Sequence, residues 1–156
     1  MDLRIEKTED VALIHALTQA AFAEYGREPG TSTALKETEA DIARHFEGGM
    51  QALVVYPSPT SPLACVRYQI ESDALYFHRL AVHPDYRRKG LAKKLVGHLE
   101  ALARAQGLAR LTCSVRLAKT DNVVLYTSLG FRLLGERSVC RDGTAVPTGD
   151  FEKRLT

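Results

Sequence analysis

The sequence predicts a mixed α/β fold in which a central, mostly antiparallel sheet is covered by helices on both faces. Three observations predict it. Short segments of alternating apolar and polar residues, typical of half-buried strands, follow one another closely. Two amphipathic helical patterns interrupt them, and a strand-helix-strand crossover lies in the second half of the chain. The 156 residues suit a single domain, which we assign to residues 1–156.

The first half of the chain is predicted to contain two helices and four strands. Apolar residues recur at helical spacing from Val11 to Tyr25, until a loop rich in glycine and hydroxyl residues, 26–33, ends the pattern. The prolines between Pro57 and Pro62 exclude a strand there and predict a tight turn. The predicted elements are strand 3–7, helix 11–25, helix 35–46, and strands 51–56, 63–70 and 74–82.

The second half begins with the helix of the crossover. Leu91, Leu95 and Leu99 mark one face of this helix, and Gly107 supplies its end. Gly130 supplies the end of a further short helix in the same way. The elements predicted after the crossover helix are strand 109–115, helix 122–129, and strands 131–139 and 150–155.

Composition and charge exclude several classes of protein. No stretch approaches the roughly 20 apolar residues of a membrane span, and residues 1–10 lack the apolar core of a signal peptide, so we expect a cytoplasmic protein with no membrane association. A net charge of +2 is too small to predict a nucleic-acid partner. Cys65, Cys113 and Cys140 are odd in number and lack a C-x-x-C pair, which predicts no disulfide framework, no metal site and buried apolar roles.

A cationic glycine turn, "PDYRRKGLAKKL", lies between the strand ending at Val82 and the helix beginning at Leu91. A helix start leaves backbone N–H groups unpaired, and glycine lets a phosphate approach them closely. Basic residues at a helix start oppose the macrodipole by about 0.3 to 1 kcal/mol each, a penalty that a bound anion reverses. Neither the triphosphate loop nor the dinucleotide fingerprint is present. The turn predicts a polyphosphate ligand other than ATP or NAD, the alternative being a solvated helix start.

Two ordered motifs resemble the GNAT superfamily of acyl-CoA N-acetyltransferases. "LAVHPDYRRKGLAKKL" is similar to that family's pyrophosphate motif through Arg87, Gly90 and Ala92. "NVVLYTSLGF", residues 122–131, resembles a later segment in which an asparagine, a tyrosine and a glycine-phenylalanine pair follow the next strand. The motifs cover roughly residues 75–131, and the predicted order of elements outside them also fits a GNAT-like sheet flanked by helices.

The resemblance implies that acetyl-CoA is the acyl donor. Backbone groups of residues 80–82 would pair with the pantetheine arm, and N–H groups of residues 88–92 would hold the pyrophosphate. Asn122 would bind the cofactor arm, and Tyr126 would protonate the departing thiolate. The commonest family form has its asparagine seven residues before the tyrosine, where this chain has Lys119. The implied cofactor-binding residues are Leu80, Ala81, Val82, Arg87, Arg88, Lys89, Gly90, Leu91, Ala92 and Asn122.

The sequence indicates the base that deprotonates the amine less clearly than it indicates the proton donor. An amine of lysine type has an ordinary pKa near 10.4, so a base or a chain of waters should assist at neutral pH. His78 is the first choice, because alternation places it on the same side of its strand as Leu80 and Val82. The alternative is that His78 is a half-buried residue with a structural role. Tyr126 likewise has a structural alternative, as a tyrosine that packs in the core.

Other residues are candidates for the amine-binding side. Tyr76 shares the face of His78, while Glu24 and Glu28 follow the first helix, where the family forms its acceptor pocket. Arg79 and Arg116 would attract an acidic substrate or form ion pairs with surface carboxylates, and the ion pairs are the safer expectation.

The predicted function is transfer of an acetyl group from acetyl-CoA to a primary amine, of a small molecule or a protein, by direct attack in a ternary complex. One alternative is a non-catalytic acyl-CoA-binding regulatory domain. A second is a nucleic-acid binder that uses the cationic turn on phosphates, with steeply salt-dependent affinity. Homodimers are common among such folds, but no exposed apolar stripe in the sequence predicts one.

Overall fold

A computed structural model describes residues 3–23, 33–58, 61–141 and 143–155. The strands of this part of the chain are β1 (Arg4–Lys7), β2 (Gln51–Tyr56), β3 (Ala64–Glu71), β4 (Ala74–Val82), β5 (Arg110–Arg116), β6 (Arg132–Arg141) and β7 (Thr144–Arg154). The α-helices are α1 (Val11–Phe22), α2 (Glu39–Glu47), α3 (Leu91–Ala105) and α4 (Thr120–Ser128). Short 3-10 turns lie at Thr33–Leu35 and Pro84–Tyr86.

All seven strands form one sheet in the order β1-β2-β3-β4-β5-β7-β6. Every neighbouring pair is antiparallel except β4 and β5, which run parallel because α3 connects them as a crossover. The prediction of a mostly antiparallel sheet with one strand-helix-strand crossover is confirmed.

Helices cover both faces of the sheet, as predicted. Along β2 the side chains alternate: Leu53 and Val55 belong to the apolar cluster that contains Leu95 of α3, whereas Val54 packs in a second cluster with Leu17 of α1. Successive strand residues point to opposite faces, so a strand buried on both sides is apolar throughout, as "ALVVY" is.

The helix starts differ in how their backbone N–H groups are satisfied. The Asp10 side chain accepts a hydrogen bond from the Leu13 N–H at 3.1 Å and caps α1, and Thr38 caps α2 in a reciprocal capping box. By contrast the N-cap residues of α3 and α4 are Gly90 and Lys119, and neither provides a side-chain cap. These two helix starts therefore keep donors available for another partner.

The final strand is longer than the sequence indicates. We expected a strand over 150–155, but β7 begins at Thr144 and pairs with β6 along its whole length. The sequence did not indicate a strand at residues 144–149 because Pro147 lies there, and proline usually marks the end of a strand. It is tolerated because the pairing of β7 with β5 stops at Thr148, so no ladder bond to β5 requires the missing N–H.

Two of the three cysteines are buried, whereas the sequence predicted that all three would be. Cys65 and Cys113 lie in the interior, whereas Cys140 is exposed on β6, so the expectation of three buried cysteines is wrong at Cys140. Its strand forms the outer edge of the sheet, where most side chains face solvent.

Among the helices of the described residues, none combines the length and apolar character that crossing a bilayer requires.

Candidate active site

The parallel strands β4 and β5 separate soon after they meet. They pair only from Ala74 opposite Arg110 to Tyr76 opposite Thr112, although both strands continue beyond these residues. Among the described residues, the later part of β4, which includes Leu80 and Val82, therefore has no strand partner on the edge that faces β5. Exposed backbone N–H and C=O groups at such an edge can pair with an extended ligand.

A bulge in β4 accompanies this separation. Arg67 of β3 pairs with His78 and Cys65 pairs with Ala81, so β4 has one residue more than β3 in this interval. Arg79, within the bulge, has a φ of 54°, in the left-handed region that few side chains favour. The extra residue reverses which side of the sheet the following side chains face.

The bulge corrects one expectation from the sequence. Tyr76 and His78 stack with ring centroids 5.5 Å apart, as the alternation predicted. Leu80 and Val82, however, pack with the cluster of Leu75 that lies on the opposite side, under α3. The prediction that His78 shares a side with Leu80 and Val82 is wrong, because simple alternation ends at the bulge.

The space between the separated strands is a cleft with two adjoining arms, which share five lining residues. The larger arm, about 950 Å³, lies at the starts of α3 and α4, and we call it the helix arm. The smaller, about 240 Å³, lies between β4, β5 and the β6–β7 hairpin, and we call it the sheet arm. The residues that line both arms are Phe22, Leu80, Lys119, Asn122 and Tyr126.

The helix arm has the features of an anion site. Gly90 has a φ of 79°, Arg88 has a φ of 62°, and a side chain added at Gly90 would meet no atom within 4 Å. The backbone here is held in a conformation that exposes the first N–H groups of α3 to open space. Cationic side chains outnumber the one carboxylate, Asp121, among the residues lining this arm: Arg87, Arg88, Lys93 and Lys119.

Arg87 has a structural partner as well. Its guanidinium donates a hydrogen bond to the Ala21 carbonyl at 2.6 Å, close to the end of α1. A cation at this position complements the negative end of the helix dipole and fixes α1 against the turn. Lys89 and Ala81, two of the predicted cofactor-binding residues, do not line the helix arm; Lys89 is exposed and Ala81 packs under α1.

Tyr126 lies where the two arms meet. Its ring packs against Phe77 and Phe131, with centroids 5.9 Å and 5.5 Å away, while the residue also borders the cleft. Burial raises the pKa of the Tyr126 hydroxyl well above its ordinary value, and the nearby Cys113 adds to this. The hydroxyl therefore stays protonated at physiological pH and can act as a donor. Asn122 lies one helical turn earlier.

Cys113 lines the sheet arm next to Tyr126. Burial raises the pKa of its thiol to about 12, and the charge of Asp150 acts in the same direction. Because the thiolate is the nucleophilic form, a thiol that stays protonated is a poor acyl acceptor. No other cysteine lines either arm among the described residues.

His78 is neutral in the folded protein. Burial lowers the pKa of His78 from 6.5 to about 4, and the positive charges of Arg67 and Arg79 contribute further. A neutral imidazole has a free lone pair and can accept a proton, but a low pKa makes it a weak base.

We predict a stability change with pH that depends on His78. The unfolded chain binds a proton near pH 6.5 but folded His78 does so only near pH 4, so the stability contributed by neutral His78 is lost as pH falls through this window. Wild type should lose about 2 to 3 kcal/mol more than His78→Gln between pH 7 and 4.5, measured by urea unfolding. Equal losses in both proteins would contradict the neutral, buried assignment.

A buried ion pair that the sequence analysis missed lies beside His78, because Arg67 is the residue of β3 that pairs with His78. Arg67 is fully buried in β3 and contacts Glu37 at 2.6 Å and 2.8 Å, while its other contact is the Thr18 hydroxyl at 3.2 Å. Burial raises the pKa of the Glu37 carboxyl, but the hydrogen bonds and charge of Arg67 outweigh this and hold it low. An arginine within the apolar strand "ACVRY" was the available signal.

Comparison with known proteins identifies the family. A family model described as "Acetyltransferase (GNAT) family" matches residues 12–131, which include the turn before α3 and the whole of α4. This chain belongs to the GNAT acetyltransferase family. The resemblance inferred from the two motifs is thus confirmed.

Curated relatives match a shorter region. The ribosomal protein bS18-alanine N-acetyltransferase of Escherichia coli strain K12 is 38% identical over 63 residues, and that of Salmonella typhimurium strain LT2 is 35% identical over 63 residues. The matched region spans 40% of this GNAT chain and 43% of each relative, less than half the length of either.

Solved GNAT structures share the whole fold. The ribosomal-protein-S18-alanine N-acetyltransferase from Escherichia coli superposes with a TM-score of 0.78 at 21% identity, covering 99% of this chain and 95% of that one. An N-acetyltransferase from Staphylococcus aureus Mu50 gives a TM-score of 0.80 at 15% identity, covering 100% of both chains. At these identities the likeness establishes the fold alone.

The structure brings most of the predicted site residues to one cleft. His78 lines the sheet arm, Tyr126 and Asn122 line both arms, and Lys119 stands beside Asn122. The predicted candidates Glu24 and Glu28 lie outside the described residues. The predicted cofactor-binding residues that line the cleft are Leu80, Val82, Arg87, Arg88, Gly90, Leu91, Ala92 and Asn122.

Proposed function

We propose that this GNAT protein transfers the acetyl group of acetyl-CoA to a primary amine by direct attack in a ternary complex. The observation that carries the proposal is that the helix arm, at the uncapped start of α3, and the sheet arm adjoin and share the lining residue Tyr126. Such a cleft has separate places for a phosphate-bearing donor and for a second substrate, with a proton donor between them.

The helix arm fits the donor. The N–H groups at Gly90 and just after it are uncapped, and the left-handed backbone of Arg88 and Gly90 exposes them, so a pyrophosphate can accept their hydrogen bonds. The unpaired edge of β4 at Leu80 and Val82 would pair with the amide groups of a pantetheine arm. Asn122, on the opposite wall, would bind the same arm.

Acetyl-CoA supplies an activated thioester, so that a carbon–nitrogen bond forms as the carbon–sulfur bond breaks. Tyr126 would give its hydroxyl proton to the departing sulfur and regain one from water. Its raised pKa keeps the proton in place before reaction, which a donor requires. The amine must lose a proton, and we propose His78, acting directly or through water, as the group that accepts it.

Direct attack is favoured over a covalent acyl-enzyme because no activated thiol lines the cleft among the described residues. Cys113 is the cysteine that borders it, and its thiol has a pKa of about 12. We therefore expect initial rates, measured by thiol release while both substrates are varied, to give intersecting double-reciprocal lines. Parallel lines would indicate a ping-pong reaction and contradict the ternary complex. No thiol release with any amine, together with acetyl-CoA binding, would favour the regulatory domain.

A further inference from the structure

The sheet arm is lined by an unusual number of cations. Four arginines border it, and no aspartate or glutamate is among the described residues that line it. They come from three strands of the sheet, so the fold rather than local sequence brings them together. The arginines of the sheet arm are Arg79, Arg116, Arg137 and Arg141.

Two of these arginines lie near carboxylates. Arg137 forms an ion pair with Asp150 at 3.0 Å. Arg79 lies 4.0 Å from Glu37, a carboxylate that Arg67 also contacts at 2.6 Å. Among the described residues, Arg116 and Arg141 form no salt bridge, so no described carboxylate pairs with these two guanidinium groups.

Two of the arginines are available to a ligand. The Nη2 atom of Arg116 is buried and has no hydrogen-bond partner among the described residues, which is a costly state for a charged donor. Arg141 lies close enough to Arg79 for its charge to act on that guanidinium. An anionic group placed among these guanidinium groups would receive charge-assisted hydrogen bonds, so it would be bound favourably.

This cationic group is distinct from the one at the start of α3. Arg88 and Lys93 line only the helix arm, whereas Arg116 and Arg141 line only the sheet arm, and Tyr126 lies between the two sets. If the donor's phosphates occupy the helix arm, they do not neutralise the sheet arm. The anion that the sheet arm binds must therefore come with the second substrate.

We propose that the amine acceptor carries an anionic group, a carboxylate or phosphate, that Arg116 and Arg141 bind while the amine is directed toward Tyr126. The inference rests on the proposed acetyltransferase function and specifies its substrate class. The volume of about 240 Å³ suits a group of amino-acid size. Polycationic acceptors such as polyamines are disfavoured, because their charge would be repelled.

Matched pairs of acceptors test the proposal. Amino acids and acidic dipeptides would be compared with the same compounds as amides, with spermidine as the polycation, by thiol release at saturating acetyl-CoA. We expect the acids to exceed their amides at least tenfold in kcat/KM and spermidine to be poorer still. Amides or spermidine equal to or better than the acids would overturn the inference. Preference for free amino acids over dipeptides, or the reverse, identifies the source of the anionic group.

Variants locate the anion site. Arg116→Gln and Arg141→Gln should each raise the acceptor KM at least tenfold and leave the acetyl-CoA KM within twofold, with Arg116→Lys between wild type and Arg116→Gln. Arg110→Gln is the matched control, because Arg110 pairs with Asp73 at 3.2 Å and lines neither arm. Equal acceptor KM values in all four variants would contradict the assignment.

A binding measurement separates this inference from the proposed function. Calorimetric titration of an acidic acceptor into the CoA-bound protein should show binding that weakens with salt and is lost in Arg141→Gln. If CoA itself does not bind, the proposed function fails. If CoA binds and amines are acetylated, but the acidic acceptor does not bind in preference to its amide, only the present inference fails.

Discussion

Tyr126→Phe should lower kcat by about 100-fold or more while leaving the affinity for acetyl-CoA within twofold of wild type. In the proposed mechanism the Tyr126 hydroxyl protonates the departing thiolate, and the substitution removes this proton donor. The ring should keep its packing against Phe77 and Phe131, so the fold should be little affected. Steady-state thiol release and calorimetric titration of acetyl-CoA measure the two quantities.

Tyr68→Phe is the matched control for this substitution. Tyr68 is also buried, but its hydroxyl donates a hydrogen bond to Gln51 at 3.1 Å and it lines neither arm of the cleft. The same loss of an oxygen atom should cost roughly 1 kcal/mol of stability and leave kcat unchanged. Full activity in Tyr126→Phe would remove Tyr126 from the proton-donating role.

Gly90→Ala should weaken acetyl-CoA binding by roughly 10- to 100-fold, the equivalent of about 1.5 to 3 kcal/mol in lost hydrogen bonds to a charged group. Gly90 has a φ of 79°, which alanine disfavours, so the turn would shift and misdirect the first N–H groups of α3. The added methyl group would also project into the open space beside the backbone. The dissociation constant from calorimetry is the quantity to compare.

Gly107→Ala separates this effect from general strain. Gly107 lies at the other end of α3, has a φ of 71°, and likewise has no atom within 4 Å of an added side chain. Both substitutions should cost about 1 to 2 kcal/mol of stability, but only Gly90→Ala should weaken acetyl-CoA binding. Equal affinities in the two variants would show that the start of α3 does not hold the phosphates.

The sequence predicted the parts of the site that depend on short stretches of chain. The glycine turn, the face of α3 marked by Leu91 and Leu95, and the placement of Tyr126 just before a helix end are all local patterns. Periodicity and turn residues report local conformation directly. These features and the order of elements can therefore be predicted from the sequence.

Features that depend on pairing between distant segments could not be predicted in this way. The bulge at Arg79 arises from the register of β4 against β3, and alternation alone placed His78 on the wrong side relative to Leu80. The pair of Glu37 with Arg67 joins residues 30 positions apart. The cluster of arginines in the sheet arm likewise needs three strands to be in place.

The central claim is that the cleft binds a CoA thioester, and thermal unfolding with acetyl-CoA, CoA, ATP and NADH tests it most directly. A ligand at 100 times its Kd should stabilise the fold by about 2.7 kcal/mol, which for a domain of this size is a rise of roughly 5 to 10 °C in Tm. We predict this rise for acetyl-CoA and CoA and none for ATP or NADH. Absence of any CoA-dependent rise, or an equal rise with all four ligands, would contradict the account.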